Sequence, residues 1–166
     1  RILSDACIGI LWTGKGIFSF GTRHGWNPLG KPRIVTKANG NIIQEIEKKP
    51  AVNVYEEYFG QDIEDLKRVQ LARMAILYPL GVYIVGEEEY LLRNVIGLTP
   101  EGGLICQGDV FTNAEIRLMI GTKETCLEAS RQAALEAKKP FQVKKPAFNL
   151  IFDSVARHKL LAKEAP

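Results

Sequence analysis

Residues 33–46 read RIVTKANGNIIQEI, two β-branched apolar stretches with Asn39-Gly40 between them. Asn-Gly tolerates the positive φ values of a tight hairpin turn, so this pattern predicts two antiparallel strands. Upstream, ACIGILW (6–12) and GIFSFGTR (16–23) are short apolar or alternating runs around the glycine turn TGKG, which predicts a second hairpin and an antiparallel sheet over the first 46 residues. GWNPLGKP (25–32), rich in Gly, Pro and Asn, is expected to be the connecting loop. It carries Trp26, whose ring serves there as a packing anchor or a ligand wall.

Beyond Lys49 the period changes. Pro50 suits a first helical turn and Gly60 a C′ position, so 50–59 read as a short helix. Asp62 is placed to cap a second helix whose Ile63, Leu66, Val69, Ala72 and Ile76 form an apolar stripe ending before Pro79. LGVYIVG (80–86) reads as a strand covered on both faces, and YLLRNVIGL, GLICQG and EIRLMIG follow at hairpin distances. In EIRLMIG, alternation gives the Glu115, Arg117 and Met119 side a wetter face. Thr122 or Lys123 opens a helix with Cys126, Ala129, Ala133 and Ala137 on one face, small enough for close packing on a sheet. AFNLIF (147–152) reads as a strand and DSVARHKLLAK (153–163) as the start of a helix.

Strand groups interrupted by helix groups predict an α+β fold of mostly antiparallel, layered sheets packed with helices. The lack of strict strand–helix alternation argues against Rossmann and barrel folds. At 166 residues the chain buries roughly two thirds of its unfolded surface. With 46% apolar and 25% charged residues it is a folded domain and neither disordered nor fibrous. The net charge of +3 is dispersed apart from KPFQVKKP (139–146), with no dense basic stripe, so no nucleic-acid partner is expected. Cys7, Cys106 and Cys126 are widely spaced without a CxxC pair, which points to a reducing compartment with no metal and no cofactor. No apolar run approaches the roughly 20 residues needed to span a bilayer. Arg1 is not a native start, so a longer parent protein is expected.

GKGIFSFG falls short of a phosphate loop because Ser19 stands where a third glycine belongs. His24 and His158 lack a third ligand at useful spacing. Asp153 after an apolar run is an N-cap candidate, and Asp153 with Arg157 is a favourable i, i+4 pair. The same corner would offer helix N–H groups, the Ser154 hydroxyl and the Arg157 guanidinium to an anion. As a nucleophile Ser154 lacks flanking glycines and would need His24 or His158 as base.

KPAFNLIFDSVARHKLL (145–161) resembles the FIST C-terminal domain, in which an apolar strand ends in an F-D-C-x-x-R stretch, and RNVIGLTPEGGLICQGDV (93–110) resembles its preceding strand pair. GWNPLGKPRIVTKANGNIIQEIEKKPAVNVYEEYFG (25–60) resembles the junction between FIST N-terminal and C-terminal domains. The resemblance implies the end of a FIST N-like β region over 1–48 and a FIST C-like α+β domain, cut short at its C-terminus, over 49–166. It further implies a cytoplasmic, non-catalytic sensory domain that binds amino acids or similar small carboxylates and couples to a downstream signalling module. Arg93 and Arg157 would then meet the ligand's anionic group and Asp153 its amine, with Ser154 in the same corner and Trp26 and His24 as the pocket wall. Ser154 stands where the family has cysteine. Alternative readings are a protein-recruiting scaffold, as in the branch of the family joined to an F-box, and a serine-dependent hydrolase.

Overall fold

The computed structural model describes residues 4–60, 71–141 and 145–162, with backbone alone at 71–73. Its longest strand, β1 (Trp26–Asn39), belongs to two halves of one sheet. Trp26 to Ile34 pair antiparallel with β8 (Glu115–Gly121), and Val35 to Asn39 pair antiparallel with β2 (Ile42–Ile46). The loop expected over 25–32 is therefore strand from Trp26 onward. Among the described residues this half of β1 has a ladder on one side only, so Pro28 and Pro32 remove no second bond, and a register shift between Leu29 and Arg33 absorbs Gly30 at φ 72°.

The hairpin at Asn39-Gly40 forms as its sequence predicts, with Asn39 opposite Ile42. β2 is flanked by β3 (Lys49–Pro50) and β7 (Leu104–Cys106), β7 by β6 (Val95–Leu98), and on the other side β8 by β4 (Leu80–Val82) and β4 by β5 (Leu91–Arg93). The strand order is β5-β4-β8-β1-β2-β7-β6 with β3 on β2, every pair antiparallel. Only Asn94 separates β5 from β6, which end that order on opposite sides, so the sheet curls until its two ends meet.

Inside the curl lie Val35, Ile43, Ile46, Leu80, Val95, Leu104, Ile116 and Leu118, closed by Val52, Val54 and Tyr55 at α1 (Asn53–Phe59) and Ala75 of α2 (Leu71–Leu77). Each such aliphatic side chain contributes roughly 1.5–3 kcal/mol of burial. Tyr55 is fully buried, and its hydroxyl donates to the Tyr78 carbonyl at 2.8 Å. α1 starts three residues later than predicted because Lys49 and Pro50 are drawn into pairing with β2, and it ends as predicted at Gly60, φ 63°. Of the second predicted helix, Asp62, Ile63, Leu66 and Val69 lie outside the described residues.

Two predicted strand groups do not form. Residues 4–25 and 145–154 contain no strand, and their apolar side chains are exposed, Leu11 at 89% and Phe152 at 88%. Alternation favours extended backbone, but a ladder needs a hydrogen-bonded neighbour, and among the described residues the two segments form none although the Trp12 and Phe148 rings approach to 5.3 Å. LGVYIVG is strand only at Leu80–Val82, and Tyr83 to Val85 emerge into solvent. The expected wet face of β8 closes at Met119, which is fully buried with Trp26, Cys126 and Leu161 in a second apolar cluster.

Candidate functional site

α3 (Lys123–Lys138) begins as its sequence predicts, at a reciprocal cap. Thr125 N–H donates to the Thr122 hydroxyl at 3.2 Å and Thr122 N–H to the Thr125 hydroxyl at 3.0 Å. Its small-residue face receives the backbone of 21–25. A Cβ added at Gly25, φ 87°, would lie 2.8 Å from the Cys126 Cα and 2.9 Å from the Thr125 carbonyl oxygen, so only glycine permits this approach.

That contact fixes the two residues that flank Gly25. His24 Nδ1 accepts the Trp26 backbone N–H at 2.9 Å, which leaves the ring proton on Nε2, 3.0 Å from the Tyr90 carbonyl. The His24 backbone N–H donates to Glu89 Oε2 at 3.3 Å. Trp26 is 4% exposed and its indole N–H donates to the Leu77 carbonyl at 3.1 Å. Arg23 reaches Glu88 at 3.0 Å and Glu136 at 3.4 Å, tying the stretch to the Glu88–Glu89 loop and to α3.

Between these elements opens a cleft of about 470 Å³, lined by Trp26, Asn27, Arg23, Glu89 and the α3 face that carries Glu124, Glu128 and Gln132. Glu128 accepts from Arg131 and from Gln132, both at 2.7 Å, and these bonds pull its carboxyl down to about 2. The Glu124 carboxyl is held below its ordinary value by its own backbone N–H and the Thr122 hydroxyl. The cleft is thus acidic, with one aromatic wall.

The expected site residues separate into three groups. His24 and Trp26 stand together, Trp26 lining the cleft and His24 beside it. Arg157, Asp153 and Ser154 lie behind it, at α4 (Val155–Leu161). Arg157 donates to Asp153 at 2.7 Å, to the Cys126 carbonyl at 2.9 Å and to the Ser130 hydroxyl at 2.6 Å, so its guanidinium fastens α4 to α3. Ser154, rather than Asp153, is the N-cap: its hydroxyl accepts the Ala156 N–H at 3.2 Å, while Asp153 accepts the Ser154 N–H at 2.9 Å. Cys126 joins these two groups, its thiol 3.8 Å from the His24 carbonyl and its own carbonyl on Arg157; burial pushes that thiol up. Arg93 stands apart from both. Its neighbour Leu92 packs on the Trp26 cluster, whereas Arg93 donates to the Asp109 carbonyl at 2.9 Å and packs over Gly108.

Arg23, Glu89 and the acidic face of α3 belong to no motif of the sequence. The signals were present: Arg23 adjoins His24, Glu89 belongs to the EEE run after Gly86, and Glu124, Glu128 and Gln132 recur at four-residue spacing. Among the described residues no group of three His, Cys, Asp or Glu side chains could hold a metal, and no helix is long and apolar enough to cross a membrane.

Two uncharacterized proteins of Mycobacterium tuberculosis, from strains CDC 1551 and H37Rv, are each 27% identical over 112 residues. That match takes in 66% of the chain and 29% of each relative, so the chain spans well under half the length of the curated relatives it matches. No solved structure matches it. The family model for the FIST N domain matches residues 1–49 and that for the FIST C domain residues 51–166. FIST domains are generally sensory, non-catalytic domains that bind small ligands in signal transduction. Matched by these two models along nearly its whole length, the chain belongs to the FIST family.

Proposed function

We propose that the chain is a non-catalytic sensory domain that acts in the cytoplasm and binds an amino-acid-like ligand in the cleft beside Trp26, passing occupancy to a downstream signalling module. The observation that carries this reading is the juxtaposition of Trp26 with the ionic groups of Arg23, Glu89, Glu124 and Glu128 at a cleft of about 470 Å³. An amino acid's ammonium group offers the Glu89 carboxylate a partner. His24 and Trp26 keep the wall role. Arg157, Asp153 and Ser154 support the cleft from behind through Cys126, and Arg93 supports the β5 side of the domain. Three free thiols, two of them buried, favour a reducing compartment.

Binding to the folded state alone raises stability. A ligand at 100 times its dissociation constant adds about 2.7 kcal/mol, and melting of a chain of this size rises by roughly 5–11 °C. A thermal-shift screen against free amino acids and small carboxylates measures this directly, and a folded protein that shifts with none of them rejects the reading.

A further inference from the structure

Resting on that ligand-binding reading, we infer that the cleft selects its ligand by positive charge: a basic amino acid or an aliphatic diamine, gripped through ammonium or guanidinium groups rather than through a carboxylate. The lining sets Glu89, Glu124 and Glu128 against the single guanidinium of Arg23. Arg23 is itself bonded to Glu88 and Glu136, so a ligand carboxylate would have to break an existing ion pair to use it. An ammonium at Glu89 would share a carboxylate that already accepts the His24 N–H rather than displace an arginine. The local excess of carboxylates also opposes the +3 charge of the whole chain, so the negative field belongs to the cleft and not to the molecule.

Geometry narrows the class further. Glu89 is held by the His24 backbone N–H at 3.3 Å, which points to a fixed carboxylate rather than a wandering surface chain. Glu124 and Glu128 follow one another by one turn of α3 on the same wall, roughly 5–6 Å apart at Cβ. Glu128 already serves Arg131 and Gln132 and acts through its charge, whereas Glu89 and Glu124 receive the ligand. Trp26 also lines the cleft with only 4% of its surface exposed, so its emission reports on the site.

The test uses the full 166-residue chain with Trp12→Phe, which leaves Trp26 as the sole indole. Its emission is followed while arginine, lysine and putrescine are titrated, with alanine, glutamate and succinate as the opposing set. Saturable change with the cationic set, little with the acidic set, and affinity about tenfold weaker in Glu89→Gln supports the inference. The amide introduced by Glu89→Gln keeps an oxygen for the His24 N–H, and Glu124→Gln provides the same measurement on an exposed helix position should the first variant misfold. Neutral or acidic ligands that bind as tightly as the cationic ones overturn charge selection and leave ligand binding standing. No response to any ligand, by emission or by melting, in protein with a native circular-dichroism spectrum overturns both.

Discussion

Arg157 shows how one side chain can satisfy two descriptions. Its sequence setting, one turn into a helix and four residues after Asp153, suits an anion clamp, and it suits an intramolecular bracket equally. In the structure its guanidinium reaches Asp153, the Cys126 carbonyl and the Ser130 hydroxyl. Removing it leaves the Cys126 carbonyl without this donor and frees α4 from α3. Arg157→Ala is therefore expected to cost about 2 kcal/mol, seen as a melting temperature lowered by roughly 4–8 °C. Unchanged melting together with lost ligand response would return Arg157 to the binding site. The i, i+4 pairing was legible in the sequence because it is local; the partners on α3 lie 27 and 31 residues away and were not.

Gly25 governs the docking of α3. The helix itself was legible, cap included, since Thr122 and the small residues at 126, 129 and 133 act over a few residues. What the helix packs against was legible in part: Cys126 meets the sheet at Met119 and Trp26, as the pattern suggested, while the same small-residue face also receives the backbone of 21–25. Gly25→Ala would place a left-handed φ on alanine and a methyl 2.8 Å from the Cys126 Cα. Neither backbone can yield, so the expected loss is at least about 2 kcal/mol. Because His24 and Trp26 sit on the same stretch, melting should fall and the Trp26 emission should shift together. A fall in melting without a change in emission would separate cleft geometry from helix docking. The same dependence on neighbours explains the failed strands at 6–23 and 147–152, where alternation is present and a partner strand is absent among the described residues.

The ionic network ties distant elements together and sets the response to pH. Arg33 of β1 bonds both Glu47, beyond β2, and Glu57 of α1, and the Arg33 hydrogen bond holds the Glu57 carboxyl below its ordinary value of 4.5. A depressed carboxylate contributes stability that is present above the unfolded value and lost as pH falls through the folded one. Melting is thus expected to decline once pH drops below 4.5, continuing toward about 2 where Glu128 protonates, and Glu57→Gln should shrink that decline. Cys106 works at the other end. Burial pushes its thiol from 9 up to about 11, so the unfolded chain ionises first and stability is lost as pH rises from 9 through 11. Melts recorded from about pH 2 to 11, with Glu57→Gln shrinking the acid limb and Cys106→Ala flattening the alkaline one, check both limbs.

At this largest scale the division between chain and fold has a physical basis. Hairpin, helix caps, helix ends and the α+β class follow from turn chemistry and short periods, forces that act within a few residues and are written along the chain. Sheet order, the curl that brings β5 to β6 across Asn94, the cluster around Cys126 and the acidic cleft depend on contacts between residues far apart in sequence. Arg23 and Glu89, or Arg157 and Cys126, become neighbours only when burial of the shared core brings their elements together, so the candidate site emerged from packing while its scaffold was readable from the start.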